Sequence, residues 1–375
     1  MKVEFYRHGL TEQDIARVAE VLRSPFLTTG KEVKAFEEAF AAYLGAQHCV
    51  GLTSCTAALH LALLAIGIEP GDEVITVPMT FIATSNAILY VGAKPVFVDV
   101  EERTGLMDVA SIEAAITPRT KAIIPVHLYG QMCDMQEIRR IADKHGLAVV
   151  EDCAHAVESA REGIRPGQLG DIACFSFYAT KNITSGEGGA AATNSEALAT
   201  KLRILRQHGM SASAADRYAS AYRHWDMEML GWKYNMSNIQ AALLLGQLDR
   251  IDGALDRRQA IAEKYEAAFA RVEGVEFPIV LAGGKSARHL FTIWVDSAKR
   301  DQTLARIQEQ GVGVAVNYRA VHLLKYYRES FGYDRGSYPI AERIGDSTIT
   351  IPLYPKMTDE EVEYVIQSVT QAVLS

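Results

Sequence analysis

The chain has 375 residues, with 38 Lys and Arg against 46 Asp and Glu and a formal net charge of −8. Apolar residues make up 49% and charged residues 22%, which excludes a disordered chain and leaves length for two domains or one large α/β domain with an appendage. An acidic chain with no basic stripe is a poor partner for nucleic acid, although a few local donors still suffice for a small anion. The opening MKVEFYRHGLTEQD lacks the apolar core of a signal peptide, and five cysteines in no CxxC spacing read as reduced thiols of a cytoplasmic protein. Residues 39–68 contain no Asp, Glu, Lys or Arg. Gln47, His48, Ser54, Thr56, His60 and three glycines interrupt them, so a helix buried under a sheet is expected there and membrane insertion is not.

From about residue 45 to 195, short apolar runs alternate with helical patterns. Strands are expected at Glu73–Val77, Pro95–Asp99, Ala122–His127, Ala148–Asp152, Ala173–Phe177 and Ala190–Thr193. Helices are expected between them at Thr56–Ile66, Thr80–Val91, Val109–Ile116 and Met135–His145. The strand runs are continuously apolar, the pattern of a mainly parallel sheet covered on both faces. Beyond Asn238 a long amphipathic helical region runs to about Val272. Strand Leu290–Val295, helix Gln302–Gln310, strand Val312–Tyr318 and a terminal helix follow, the last opened by the capping-box spacing of Thr358 and Glu361.

Ligands of such a sheet collect at the carboxyl ends of its strands and at the helix N-termini facing them. Leu52-Thr-Ser-Cys-Thr-Ala57 precedes an apolar helix, where small hydroxyl residues cap the helix or offer amides to a phosphate. It lacks the Gly-Lys-Ser/Thr ending of a nucleotide triphosphate loop, and GxGxxG is absent, which argues against a dinucleotide enzyme. Asp152 ends an apolar strand, where a carboxylate needs a cationic or hydrogen-bonding partner or serves as a cap. Lys181 follows another apolar strand, with Ser185-Gly-Glu-Gly-Gly189 behind it; it either snorkels to solvent or is a desolvated amine nucleophile. A phosphate-binding helix start, a buried aspartate and a later lysine together fit pyridoxal 5′-phosphate. No metal is called for.

The segments FLTTGKEV, SCTAALHLAL, GDEVITVPMTFIAT, KPVFVDV, TKAIIPVHLYG, VVEDCAHA, FSFYATKNITSGEGG, LRQHGM, WKYNMSNIQAALLLGQL and IPLYPKMT occur in this order. Through them the chain resembles the DegT-type nucleotide-sugar aminotransferases over essentially its full length. The likeness is strongest to members that make UDP-4-amino-4-deoxy-L-arabinose, on Thr28-Thr-Gly30, Tyr178-Ala-Thr-Lys-Asn-Ile-Thr184, and Tyr318-Arg-Ala-Val-His322 followed by Lys325-Tyr-Tyr-Arg-Glu329.

The resemblance implies a fold-type I α/β architecture. Residues 1–250 would form the large cofactor domain with an N-terminal arm, and 251–375 a smaller α+β domain. It implies that Lys181 carries the cofactor, Asp152 pairs with its ring nitrogen, His155 bonds its phenolic oxygen and Phe81 stacks on its ring. Thr56, Ala57 and Ser176 would hold the phosphate, with Asn235 reaching in from the other subunit of a homodimer. Thr28, Thr29, Gly30, Arg223, Arg319 and His322 are the expected substrate residues, with His224 beside Arg223. The implied reaction takes nitrogen from L-glutamate, releases 2-oxoglutarate and aminates the C4 keto group of a nucleotide-linked sugar, a UDP-4-keto sugar first. A dehydratase relative, a C3 aminotransferase and a non-catalytic regulatory protein on the same fold are the alternatives. Lys181 argues against the dehydratase, where a histidine replaces the lysine, and Lys181 with Asp152 argues against the regulator.

Overall fold

The computed structural model describes residues 1–211 and 224–375. Two N-terminal helices, α1 (Glu12–Arg23) and α2 (Lys31–Leu44), lead into strand β1 (His48–Leu52) and helix α3 (Cys55–Ala65). The uncharged stretch expected to be one buried helix therefore holds a strand as well. Glycine punctuates it: Gly45 stands at φ 73° past the last turn of α2 and lets the chain reverse into β1. Ser54 caps α3, whose side chains are buried on nearly every face, so it shows almost no amphipathic stripe.

Then come β2 (Glu73–Thr76), α4 (Ala83–Tyr90), β3 (Lys94–Phe97), α5 (Ile112–Ala115), β4 (Thr120–Ile123), α6 (Met135–His145), β5 (Ala148–Asp152), the two-residue β6 (Ala160–Arg161), β7 (Ile172–Ser176) and β8 (Gly189–Thr193). Seven of these strands form one sheet in the order β1-β8-β7-β5-β4-β2-β3. The pairs from β7 through β3 are parallel, while β8 runs antiparallel to both β7 and β1. Sequence expectation and structure agree on the mainly parallel sheet. Its strands are buried along almost their whole length because helices cover both faces. One face packs on α3, with Leu59, Leu61 and Leu63 among Val74, Ile172 and Ala191. On the other face Ile138 and Ile141 of α6 meet Ile75, Ile123 and Val149, and farther along Phe36 and Phe40 of α2 meet Phe175 and Phe177.

Helix α7 (Glu196–Leu205) closes this part. The helical region expected to be continuous from Asn238 breaks at Asp249 and Arg250 into α8 (Asn238–Leu248) and α9 (Ile251–Phe269). After the short β9 (Gly284–Lys285), β10 (Phe291–Trp294) pairs antiparallel with β11 (Thr348–Ile351). Between those two strands lie α10 (Arg300–Glu309), α11 (Lys325–Phe331) and α12 (Pro339–Ser347), and α13 (Asp359–Leu374) ends the chain with the expected capping box. The expected strand Val312–Tyr318 is reduced to isolated bridges, Val3 with Val312 and Ala315 with Thr350. Tyr265, Phe269 and Phe291 centre a core of this C-terminal region that also takes in Val3. Among the described residues no helix is long and apolar enough to cross a membrane.

Candidate active site

The sheet register builds one edge. Leu52 and Ser176 both pair with Gly189, and Asp152 pairs with Cys174, so the carboxyl ends of β1, β5 and β7 meet the start of β8. Gly189 has no room for a β-carbon, which would overlap the backbone of Ser54 and Cys55. That close approach seats the start of α3 against the sheet edge, and it is the reason the glycine-rich turn ends where it does.

At this edge lies a cavity of about 530 Å³ whose walls include Thr56, Phe81, Asp152, His155, Ser176 and Lys181. Six of the expected cofactor residues are thus brought together from α3, the segment before α4, and the ends of β5 and β7 with the turns that follow them. Grooves of about 770 and 880 Å³ run along Gly30 and Lys31, but neither touches Lys181 or Asp152.

Ser54 Oγ accepts the amide of Ala57 at 3.1 Å, and the amides of Cys55 and Thr56 have no intrahelical acceptor. The open donors of α3 therefore belong to residues 55 and 56, and a phosphate would have to share Ala57 with Ser54. Asp152 is 6% exposed: its Oδ2 accepts from Thr84 Oγ1 at 2.7 Å and its Oδ1 from the amide of Ala154 at 3.1 Å. Lys181 sits in the turn after β7, its backbone held by a bond from its amide to Tyr178 O and by Tyr6 Oη donating to its carbonyl. Its amine has no hydrogen-bond or ion-pair partner among the described residues. Burial lowers its pKa from 10.5 to about 8, against the opposing pull of Cys55 and Asp152. Burial, and then Lys181, holds the pKa of His155 well below the usual histidine range. Its Nδ1 accepts the Tyr129 amide at 3.3 Å, which puts the ring proton on Nε2, 3.1 Å from the Tyr318 hydroxyl. Tyr129 takes a positive φ of 57°, and its own hydroxyl donates to Asn317 O.

This donor set fits pyridoxal 5′-phosphate: open amides and hydroxyls for a phosphate, a carboxylate for a ring N–H, an imidazole N–H for a phenolic oxygen, an unpartnered amine for a carbonyl and an exposed Phe81 for a ring face. Sequence reasoning missed Thr84, Tyr318 and His289, whereas the capping role of Ser54 was one of the two readings of Leu52–Ala57. Thr84 lies one turn beyond Phe81 in GDEVITVPMTFIAT, and Tyr318 directly precedes Arg319, so both lie within the motifs that carry the resemblance. His289 carried no signal before the fold brought it to His155, 4.4 Å between ring centroids.

The other expected residues lie elsewhere. Asn235 Nδ2 donates to Thr29 Oγ1 at 2.7 Å and lies within 3.4 Å of Thr28 Oγ1, so Asn235, Thr28 and Thr29 form a group outside this chain's cavity walls. Gly30 caps α2 and packs against Asn238, with no space for a side chain. Arg319 is exposed and does not line the cavity. His322 does not line this cavity: its ring is fully buried and its Nε2 lies 2.9 Å from Glu342 Oε1. Arg223 lies outside the described residues, and its neighbour His224 is exposed.

The five cysteines are all buried and unpaired. His127, Glu151 and Cys153 form a cluster with metal-ligating atoms within 4.8 Å of one another, but Glu151 already accepts the amides of Gly167 and Gly170, and His127 Nδ1 accepts that of Cys133.

The sequence matches the model of the DegT/DnrJ/EryC1/StrS aminotransferase family across residues 9–370. It is 45% identical over 368 residues to the spore coat polysaccharide biosynthesis protein SpsC of Bacillus subtilis, covering 96% of this chain and 95% of that one. Among solved structures it is similar to the PMP form of the putative sugar aminotransferase Spr1654 from Streptococcus pneumoniae, with 33% identity, a TM-score of 0.94, and 100% and 99% of the two chains covered. Helicobacter pylori PseC, an aminotransferase involved in pseudoaminic acid biosynthesis, superposes with a TM-score of 0.93 at 28% identity over 100% of both chains.

Proposed function

The chain belongs to the DegT/DnrJ/EryC1/StrS aminotransferase family, and on that premise we propose that it is a cytoplasmic pyridoxal phosphate enzyme that moves an amino group from L-glutamate to the C4 keto group of a nucleotide-linked sugar. A UDP-4-keto sugar is the first candidate, on the resemblance carried by Thr28–Gly30, Tyr178–Thr184 and Tyr318–Glu329. The name of SpsC, a spore coat polysaccharide biosynthesis protein, supports a product destined for polysaccharide. One observation carries the reading: an unpartnered amine, Lys181, and a hydrogen-bonded carboxylate, Asp152, share a cavity beneath the open end of α3.

Pyridoxal phosphate, when bound, supplies a carbonyl that carries nitrogen and a ring that takes up an electron pair. Everything else falls to side chains. The open amides of α3, with Thr56 and Ser176, bind the phosphate and fix the ring's position. Asp152, oriented by Thr84 and the Ala154 amide, holds the proton of the ring nitrogen. His155 would offer its Nε2–H, now facing the Tyr318 hydroxyl, to the phenolic oxygen, and Phe81 would supply an apolar face for the ring. Lys181, with its depressed pKa, is free of its proton in a larger fraction of molecules than an ordinary lysine. Its amine would take the proton from the donor's Cα and give it back to the cofactor carbon on the other side of the transferred nitrogen.

Asn235 bonds Thr29 and bridges Leu52 at the end of β1 without lining this chain's cavity; the family resemblance is what assigns it to the partner's phosphate in a homodimer. In the same reading residues 1–250 form the cofactor domain and 251–375 the domain that shapes the sugar pocket. The test incubates the purified protein with L-glutamate and a panel of 4-keto nucleotide-sugars. 2-Oxoglutarate and a 4-amino sugar are expected from the UDP-linked member. Amination of a 3-keto sugar alone overturns the C4 assignment, and loss of a sugar hydroxyl without amination points to the dehydratase.

A further inference from the structure

Behind Lys181 runs a buried polar chain that the reaction above does not use. Arg258 of α9 is 2% exposed and ion-paired with Glu158, itself fully buried. The other oxygen of Glu158 accepts from Asn182 Nδ2 at 2.8 Å, and Asn182 Nδ2 also donates to Ala287 O at 3.0 Å. Two acceptors on the amide nitrogen fix which way the Asn182 side chain faces. Its oxygen must then be the atom 3.0 Å from His289 Nδ1. An amide oxygen only accepts, so Nδ1 carries a proton. Burial, with His155, Lys181 and Arg258 around the ring, disfavours a second proton on it, so the ring is neutral and Nε2 is a bare lone pair.

His289 is 5% exposed and lines the cavity with Lys181, yet Nε2 has no hydrogen-bond partner among the described residues. An acceptor left open toward a cavity is placed to meet a donor bound there. Its neighbour His155, with ring centroids 4.4 Å away and the rings tilted, carries the opposite polarity, an Nε2–H that faces the Tyr318 hydroxyl. We infer that His289 is a further site residue whose bare Nε2 accepts an amine N–H, from the amino-acid donor or from Lys181, and that Glu158 and Asn182 hold it in that form. The assignment of the amine rests on the transaminase reading, whereas the tautomer does not.

Protein labelled with ¹⁵N-histidine and purified with its cofactor gives the test, the ring signals of His289 being identified by their loss in His289→Gln. The expected spectrum at neutral pH shows His289 protonated on Nδ1 and bare on Nε2, and Asn182→Ala should release that preference without altering His155. A ring protonated on Nε2, or on both nitrogens, overturns the inference whatever the assay of amine formation shows. If the donor supplies the hydrogen bond, adding L-glutamate moves the Nε2 signal; if Lys181 supplies it, Lys181→Met moves it. A signal that neither moves overturns the inference also. In turnover, His289→Asn keeps a donor near Nδ1 but lacks the acceptor, whereas His289→Gln can place an oxygen near Nε2. The first should lose about tenfold in kcat/KM for L-glutamate, the worth of one hydrogen bond, and the second should recover most of it. Equal losses in both would mark the ring as packing alone.

Discussion

On β5 two consecutive carboxylates, Glu151 and Asp152, each stand near a histidine, and the two groupings are built on opposite principles. Glu151 is fully enclosed: one oxygen accepts the amides of Gly167 and Gly170 and the other lies 2.8 Å from His127 Nε2. Every strong acceptor position faces a donor, which is how a buried charge becomes tolerable. Asp152 is almost as deep, but its partners are a threonine hydroxyl and one amide, and the rest of it faces a cavity shared with Lys181 and His155. The period of a strand puts neighbouring side chains on opposite faces, so one residue's step separates a group that holds the fold from one that faces a ligand. Burial alone does not separate them; unfilled bonding capacity does.

The largest expected effect comes from the open grouping. Asp152→Asn keeps the shape and the bond from Thr84 but removes the charge that retains a ring proton, and amine formation should fall by roughly a thousandfold. The melting temperature of the cofactor-free protein should hardly change. A variant that unfolds instead would make Asp152 a fold residue like its neighbour and erase the distinction.

Glu151→Ala sharpens the same comparison from the other side. It strands two glycine amides and the His127 ring in an enclosed space, a loss of about 3 kcal/mol in denaturant unfolding. Turnover per folded molecule should stay near that of the parent. A selective loss of turnover at normal stability would mean that the enclosed grouping also serves the chemistry.

This contrast also explains what was legible in the sequence. The apolar strand runs that end at Asp152 and before Lys181 located the sheet edge, because continuous burial on both faces leaves a one-dimensional trace. Ala148–Asp152 is readable to the residue for the same reason, and Met135–His145 through the opposite pattern, a single apolar face at helical spacing. Strand β1 was not, since its HCVGL merges with the uncharged helix after it and no periodicity divides them. Long-range polar partners left no trace either. Nothing local links Thr84 to Asp152, 68 positions apart, or His289 to Asn182, 107 apart. The contact of His322 with Glu342, 20 positions on, also left no trace, because a histidine in a motif reads the same whatever its ring meets.

The smallest expected effect tests whether the open grouping costs stability. Burial holds the Lys181 amine near pKa 8, below its ordinary 10.5, outweighing the attraction of Asp152 and Cys55. Between those two values the unfolded chain binds more protons at this residue than the folded one, so its contribution to stability rises with pH across the window. Below about pH 8 both states are protonated and the full penalty of burying the ammonium is present. In the cofactor-free protein Lys181→Met removes that penalty, so the variant should melt higher than the parent at pH 7. The advantage should shrink as pH rises from about 8 toward 10.5, where the parent's amine is neutral when folded. Paired melts at pH 7 and pH 10 read the difference directly, because titrations common to both proteins cancel. A gap that does not change with pH would mean the amine reaches water freely, and Lys181 would then lack the strain that sets the open grouping apart from Glu151 and His127.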